Sequence, residues 1–168
     1  CRLGERRFKE VAQSHGLGRV QSAFSEIISR TEQRMRDAIG AIPDGVYRFE
    51  DVMDGDGVAT LDIPIRLTMT INGTRAFFDF TGTSKQVTGN VNVTMNATAA
   101  SVCYALKAVL DPDVPSNQGV LDVAEIKADA GTLLNGSFPA PVAARAHTCQ
   151  RIIDVVLGAL AQALPDKV

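Results

Sequence analysis

The sequence lacks an apolar run approaching the roughly 18 to 20 residues that a membrane span needs, and the stretch from Cys1 to Arg7 has no apolar signal-peptide region. A soluble cytoplasmic protein is the expectation. It also lacks an excess of either charge: 17 lysines and arginines face 19 acidic residues, for a net charge of -2. That balance argues against a general electrostatic attraction to nucleic acid or to an anionic membrane. Cysteine is scarce. Cys1, Cys103 and Cys149 are odd in number and far apart, which fits neither a disulfide framework nor a zinc cluster. Only two histidines are present, His15 and His147, and no internal repeat or low-complexity tract interrupts the chain.

What is there suits one globular unit, since 168 residues at 45% hydrophobic and 21% charged can build a single core with a helical appendage. The pattern predicts an α+β fold, with a helical lead over residues 1–43 and a mixed body over 44–168. Both ends read as cut, so an internal piece of a larger subunit is expected. Residues 2–13 form one short helix closed at Gly16. Val20, Phe24, Ile27, Ile28, Met35 and Ile39 then recur at helical spacing up to Gly40 and Pro43. From Gly45 the period changes to two. Asn72-Gly73 predicts a type I′ hairpin between strands of about 60–71 and 74–81. Pairing Ile71 with Thr74 would set Met69 opposite Ala76 and Leu67 opposite Phe78 on an apolar face, with Arg66 opposite Asp79 on the polar one. Pro64, having no amide to donate, places a strand start or a free edge nearby. A loop over 81–92 leads to a helix of about 94–110, stopped by Pro112 and Pro115. A short strand is expected over 121–127. A last helix of about 148–164, apolar nearly all round, should be buried.

Few groups carry obvious chemistry. Asp51, Asp54 and Asp56 cluster as in a calcium loop, but Val58 and Ile65 stand where oxygen ligands would be required, so a solvated acidic turn is the reading. Cys149 lies near Arg145 and His147, with no acidic residue close in sequence to orient the imidazole; a packed cysteine is favoured over a nucleophile. Gly82 and Gly89 do not have phosphate-loop spacing. What remains is a polar set in loops and at a helix start: Asn90, Asn92, Asn117, Asn135, Arg145 and His147. Loop asparagines either bond their own backbone or, held by a rigid scaffold, face a substrate or partner.

Ordered segments carry a family resemblance over about three quarters of the chain: Pro43–Tyr47 with Asp54–Gly57, Asp79–Asn90, Tyr104–Lys107 with Asp111–Gly119, Gly131–Asn135 with Phe138–Val142, and Arg151–Pro165. Together they resemble the hydantoinase B/oxoprolinase family, which includes N-methylhydantoinase B-type subunits, part of 5-oxoprolinase, and acetone and acetophenone carboxylase subunits. The resemblance implies one piece of an ATP-dependent hydrolase that opens cyclic amides. A ketone carboxylase fragment and a non-catalytic assembly domain are the alternatives. It further implies a hydantoinase A-type ATP-using subunit or domain as partner, along with the rest of its own subunit, in a hetero-oligomer. ATP and a divalent metal would belong to the whole complex, none being bound by this piece: nucleotide chemistry resides on the partner, and in the carboxylases of the family the His and Asp metal motifs lie upstream. Arg145, Asn117 and Asn135 become substrate- or interface-facing candidates, Arg145 through two-pronged carboxylate binding. The chain departs from its relatives at Gly119-Val120-Leu121-Asp122-Val123, where Cys-Phe-Arg-Pro often follows the glycine.

Overall fold

The computed structural model describes residues 1–168 and has the element order α1 (Arg2–His15), α2 (Leu17–Gly40), β1 (Gly45–Gly55), β2 (Leu61–Asn72), β3 (Arg75–Asp79), α3 (Met95–Leu110), α4 (Gln118–Leu121), β4 (Ala124–Lys127) and α5 (Arg145–Ala163). The four strands form one sheet in the order β1-β2-β3-β4, antiparallel except for the parallel β3–β4 pair. This is the α+β class that the change of period implies.

Alternation along β2 decides which face is buried. Ile63, Ile65, Leu67, Met69 and Ile71 are all shielded from solvent, while the residues between them are exposed or half-buried. Helix α5 lies over β1 and β2 and packs against α3 on its own flank. It presents Ile152, Val155, Val156, Ala159 and Leu160 inward, so the apolar last helix is buried within its own chain. It starts at Arg145, three residues before the expected Thr148.

The hairpin forms, but its register differs by two residues from the expected one. Asn72 pairs with Arg75, Ile71 with Ala76 and Met69 with Phe78, leaving Gly73 and Thr74 as the turn. Gly73 has φ +57° and Thr74 is not among the residues with positive φ. Positive φ at the first central residue only is the signature of a type II′ turn, not type I′. The Gly73 amide also donates to Asp44 Oδ1 at 2.8 Å, a bond that holds the turn in this position. Because a shift of two preserves the faces, the apolar side is unchanged. The polar pairs do change. Arg66 stands opposite Glu50 of β1 and donates to it at 2.7 Å, while Asp79 faces Lys127 of β4 at 3.3 Å. Pro64 sits where β2 has no β3 neighbour, since that pairing begins at Thr68; its carbonyl accepts from the Ser84 amide at 3.0 Å.

Gly16 (φ +82°) separates α1 from α2, and the rings of Phe8 and Phe24 stack at 6.3 Å. No residue of α1 is buried. The far half of α2 belongs to the core, with Met35 and Ile39 fully covered. Arg34 donates twice to the Asp111 carboxylate, at 2.8 and 2.7 Å, and Asn117 Nδ2 donates to Thr31 Oγ1 at 3.0 Å. Strand β4 is shorter than expected, because Gln118–Leu121 forms the one-turn α4, capped by Asn117.

Candidate functional site

Five of the six sequence-derived site residues come from three segments that meet at the start of α5. The first segment is tied down by Asp56. Its Oδ1 accepts the amides of Val58, Ala59 and Thr60 at 2.9 to 3.0 Å, closing the β1–β2 turn, and its Oδ2 accepts the Gly89 amide at 3.0 Å and the Thr88 hydroxyl at 3.3 Å. The bond from the Val58 amide leads the effects that hold this carboxyl well below the usual carboxylate range. The expected solvated acidic turn is therefore corrected at Asp56, which is only 4% exposed because five donors converge on it. Gly89 is required by the same contact: a Cβ there would lie 2.1 Å from the Asp56 carbonyl oxygen.

Asn92 is the second tie. Its Nδ2 donates to the carbonyls of Val87, Gly89 and Pro141 at 2.8, 3.0 and 3.0 Å, and its Oδ1 accepts the Val87 amide at 2.8 Å. The side chain is 0% exposed. A substrate-facing role for Asn92 is thus corrected, since every polar atom of the amide is committed inside the fold. Asn135 is half-buried and donates to the Ala128 carbonyl at 2.8 Å, shaping the loop before α5.

Asn90, Arg145 and His147 stay exposed. The Asn90 carbonyl accepts the Ala144 amide at 2.9 Å, which puts it beside the first turn of α5, and Arg145 Nη1 donates to the Val142 carbonyl at 3.2 Å. Phe138, 98% exposed on the adjoining loop, is a large apolar side chain standing free at this end. The structure does not bring Asn117 to this place. It caps α4 by accepting the Gly119 amide at 2.8 Å, and it lines a separate groove of about 650 Å³ between α3 and residues 112–121. Sequence reading passed over that groove; its signal was the small residues Ala100 and Ala108 on either side of an outward Tyr104.

No three His, Cys, Asp or Glu side chains of the chain stand close enough to share an ion. In the loop from Gly82, that glycine packs on the Arg66 side chain, and no helix opens directly after the loop's glycines. Burial pushes the Cys103 thiol up to about 11, so it is not a nucleophile at neutral pH.

The family model for hydantoinase B/oxoprolinase matches residues 1–168. The chain belongs to that family. A protein provisionally named as the B-type subunit of a D-/L-hydantoinase, from Pseudomonas sp. (strain NS671), is 36% identical over an alignment covering 100% of this chain and 30% of the relative. The 5-oxoprolinase 1 of Arabidopsis thaliana is 34% identical over 90% of this chain and 13% of its own length. Among solved structures, the ATP-dependent caprolactamase of Pseudomonas jessenii superposes with a TM-score of 0.89 at 25% identity, over 100% of this chain and 29% of that one. An acetone carboxylase studied for ATP-dependent acetone carboxylation gives 0.80 at 18% identity, over 97% and 23%, and so shares the fold. This member of the hydantoinase B/oxoprolinase family therefore spans less than a third of the length of these relatives. No helix of the chain is long and apolar enough to cross a membrane.

Proposed function

We infer that this chain is part of the B-type component of an ATP-dependent hydrolase that opens cyclic amides of the hydantoin, 5-oxoproline or lactam type. The observation that carries this reading is the superposition on a caprolactamase along the whole chain at 25% identity, joined by a hydantoinase-type relative at 36%. In this reading ATP and a divalent metal act elsewhere in the complex. A hydantoinase A-type subunit or domain, with the rest of the B-type polypeptide, completes a hetero-oligomer in the cytoplasm. The contribution of residues 1–168 is a scaffold. Asp56 and Asn92 hold the loop before α3, and that loop with the start of α5 presents Asn90, Arg145 and His147 to substrate or to a neighbouring subunit.

The test is turnover by the intact complex supplied with hydantoin, 5-oxoproline, caprolactam, or acetone plus bicarbonate, each with and without ATP. Ring opening that requires ATP is the expected result. Turnover of acetone alone would favour the carboxylase reading, for which the shared fold is the support. Turnover of none of the four would refute both.

An assembly role is favoured by one separate observation. Leu3, Phe8, Val11, Leu17, Phe24 and Ile27 leave an apolar stripe 45 to 60% exposed along α1 and the first half of α2. The association surface thus shifts from the last helix, which is committed to its own core, to this helical arm.

A further inference from the structure

We propose that the groove between α3 and residues 112–121 is a binding site for a small carboxylic acid with a compact apolar body. The inference goes beyond the ring-opening reading and does not depend on it. At about 650 Å³ the groove falls within the size range of small-molecule sites. Its concavity comes from the sequence: Ala100 and Ala108 are one turn before and one turn after Tyr104 on the outer face of α3, and their small side chains leave room beside the ring. Val120 and Cys103 form the floor, linked by a contact of 3.7 Å from the Cys103 thiol to the Val120 carbonyl.

The groove is preformed. Asp111, just past the end of α3, is held by Arg34, and Asn117 is fixed between Gly119 and Thr31, so the segment opposite α3 is anchored on both sides of Ser116. No side chain with an assigned structural task fills the opening; Tyr104 is 63% exposed and its hydroxyl has no partner within the chain.

Charge selects the occupant. Lys107 is the only charged side chain lining the groove, and its one partner is the Ser116 hydroxyl at 3.2 Å; it makes no ion pair, the carboxylate one turn on, Asp111, being held by Arg34. An apolar cleft with one ammonium free of any ion pair and a hydroxyl beside it complements a molecule whose hydrocarbon part lies on Ala100, Val120 and Leu121 while its carboxylate reaches Lys107 and Ser116. Binding there is non-covalent, because the Cys103 thiol stays protonated.

The experiment is titration of the intact polypeptide that contains these residues with hexanoate and, separately, with hexanamide, followed through the amide and methyl resonances of isotopically labelled protein. Hexanoate is expected to shift Ala100, Lys107 and Val120 at millimolar concentration, and hexanamide to bind about ten- to a hundredfold more weakly, the factor for losing one charge-assisted contact. Lys107→Gln should erase that preference, and Ala100→Phe should fill the groove and abolish both responses, each with an otherwise unchanged spectrum. Equal binding of acid and amide, shifts confined to another surface, or no response to either probe at millimolar concentration would overturn the proposal.

Discussion

Removing the Asn92 side chain separates a structural tie from a substrate contact, because only the first role predicts a loss of stability. Asn92→Ala deletes four internal hydrogen bonds at a position with no access to solvent. The Val87 amide loses its acceptor outright, while the carbonyls of Val87, Gly89 and Pro141 each lose a donor. A buried group left unsatisfied costs about 1–3 kcal/mol, with the buried Gly89 carbonyl at the lower end and the part-buried carbonyls of Val87 and Pro141 at about half of that, so the total comes to roughly 3–5 kcal/mol. That is a large share of the ~5–15 kcal/mol that holds a typical domain together. Urea unfolding monitored by circular dichroism measures it. Asn92→Asp adds a sharper diagnostic. The new carboxylate would face three carbonyl oxygens, which disfavours its charged form in the folded state and raises its folded pKa above the unfolded value of about 3.9. The folded variant then binds the proton more tightly than the unfolded one, so its stability must fall as pH rises. Its deficit relative to the parent chain should therefore be smaller at mildly acidic pH than at pH above neutral. A midpoint for Asn92→Ala within experimental error of the parent, or an Asn92→Asp deficit independent of pH, would refute the assignment of Asn92 as an internal tie.

Two glycines with similarly close contacts should respond differently. Gly89→Ala drives a Cβ into the backbone of Asp56, which cannot yield, and should cost at least ~2 kcal/mol by urea unfolding, whereas Gly158→Ala meets only the Phe49 ring at 2.6 Å. Phe49 is 38% exposed and can swing outward, and alanine gains about 1 kcal/mol of helix propensity, so that variant should stay within ~1 kcal/mol of the parent. Asp56→Asn should be less stable at neutral pH. Because the folded pKa of Asp56 is depressed, the stabilisation it brings is present above the unfolded value near ~3.9 and is lost as pH falls below it, so the two unfolding curves should converge in acid. A double-mutant cycle on Arg34 and Asp111 should give a coupling of about 0.5–1 kcal/mol, reduced by added salt, because Arg34 is half exposed although the pair makes two bonds.

Periodicity carried the fold well where a single face had to be buried. The alternation through β2 and the apolar positions of α5 each admit one arrangement, so the class, the hairpin and the buried last helix were all legible. The hairpin register was not, for a physical reason: both Asn72-Gly73 and Gly73-Thr74 can form a two-residue primed turn, and the two registers keep the same residues inside. What separates them is a bond from the Gly73 amide to Asp44, 29 positions away in sequence, which no local pattern contains. The strand pairings of Arg66 and Asp79 had the same limit, since their charge partners Glu50 and Lys127 come from strands outside the hairpin.

The polar candidates were harder to sort, because an asparagine has the same local signature whether it points inward or outward. Asn90 and Asn92 are two residues apart in one loop, yet one is exposed and the other has no contact with solvent. The difference arises from Pro141, whose carbonyl takes the third bond of Asn92, and from Ala144, whose amide takes the backbone of Asn90 and leaves its side chain free. Both partners lie some fifty residues further along the chain, in the segment that also delivers Arg145 and His147. The two exposed α5 side chains therefore inherit their placement from a buried network anchored on Asp56 and Asn92. A change at either anchor should disturb the surface around Arg145 without touching Arg145 itself, whereas Arg145→Ala should leave the unfolding midpoint unchanged and act only on turnover or assembly of the intact complex.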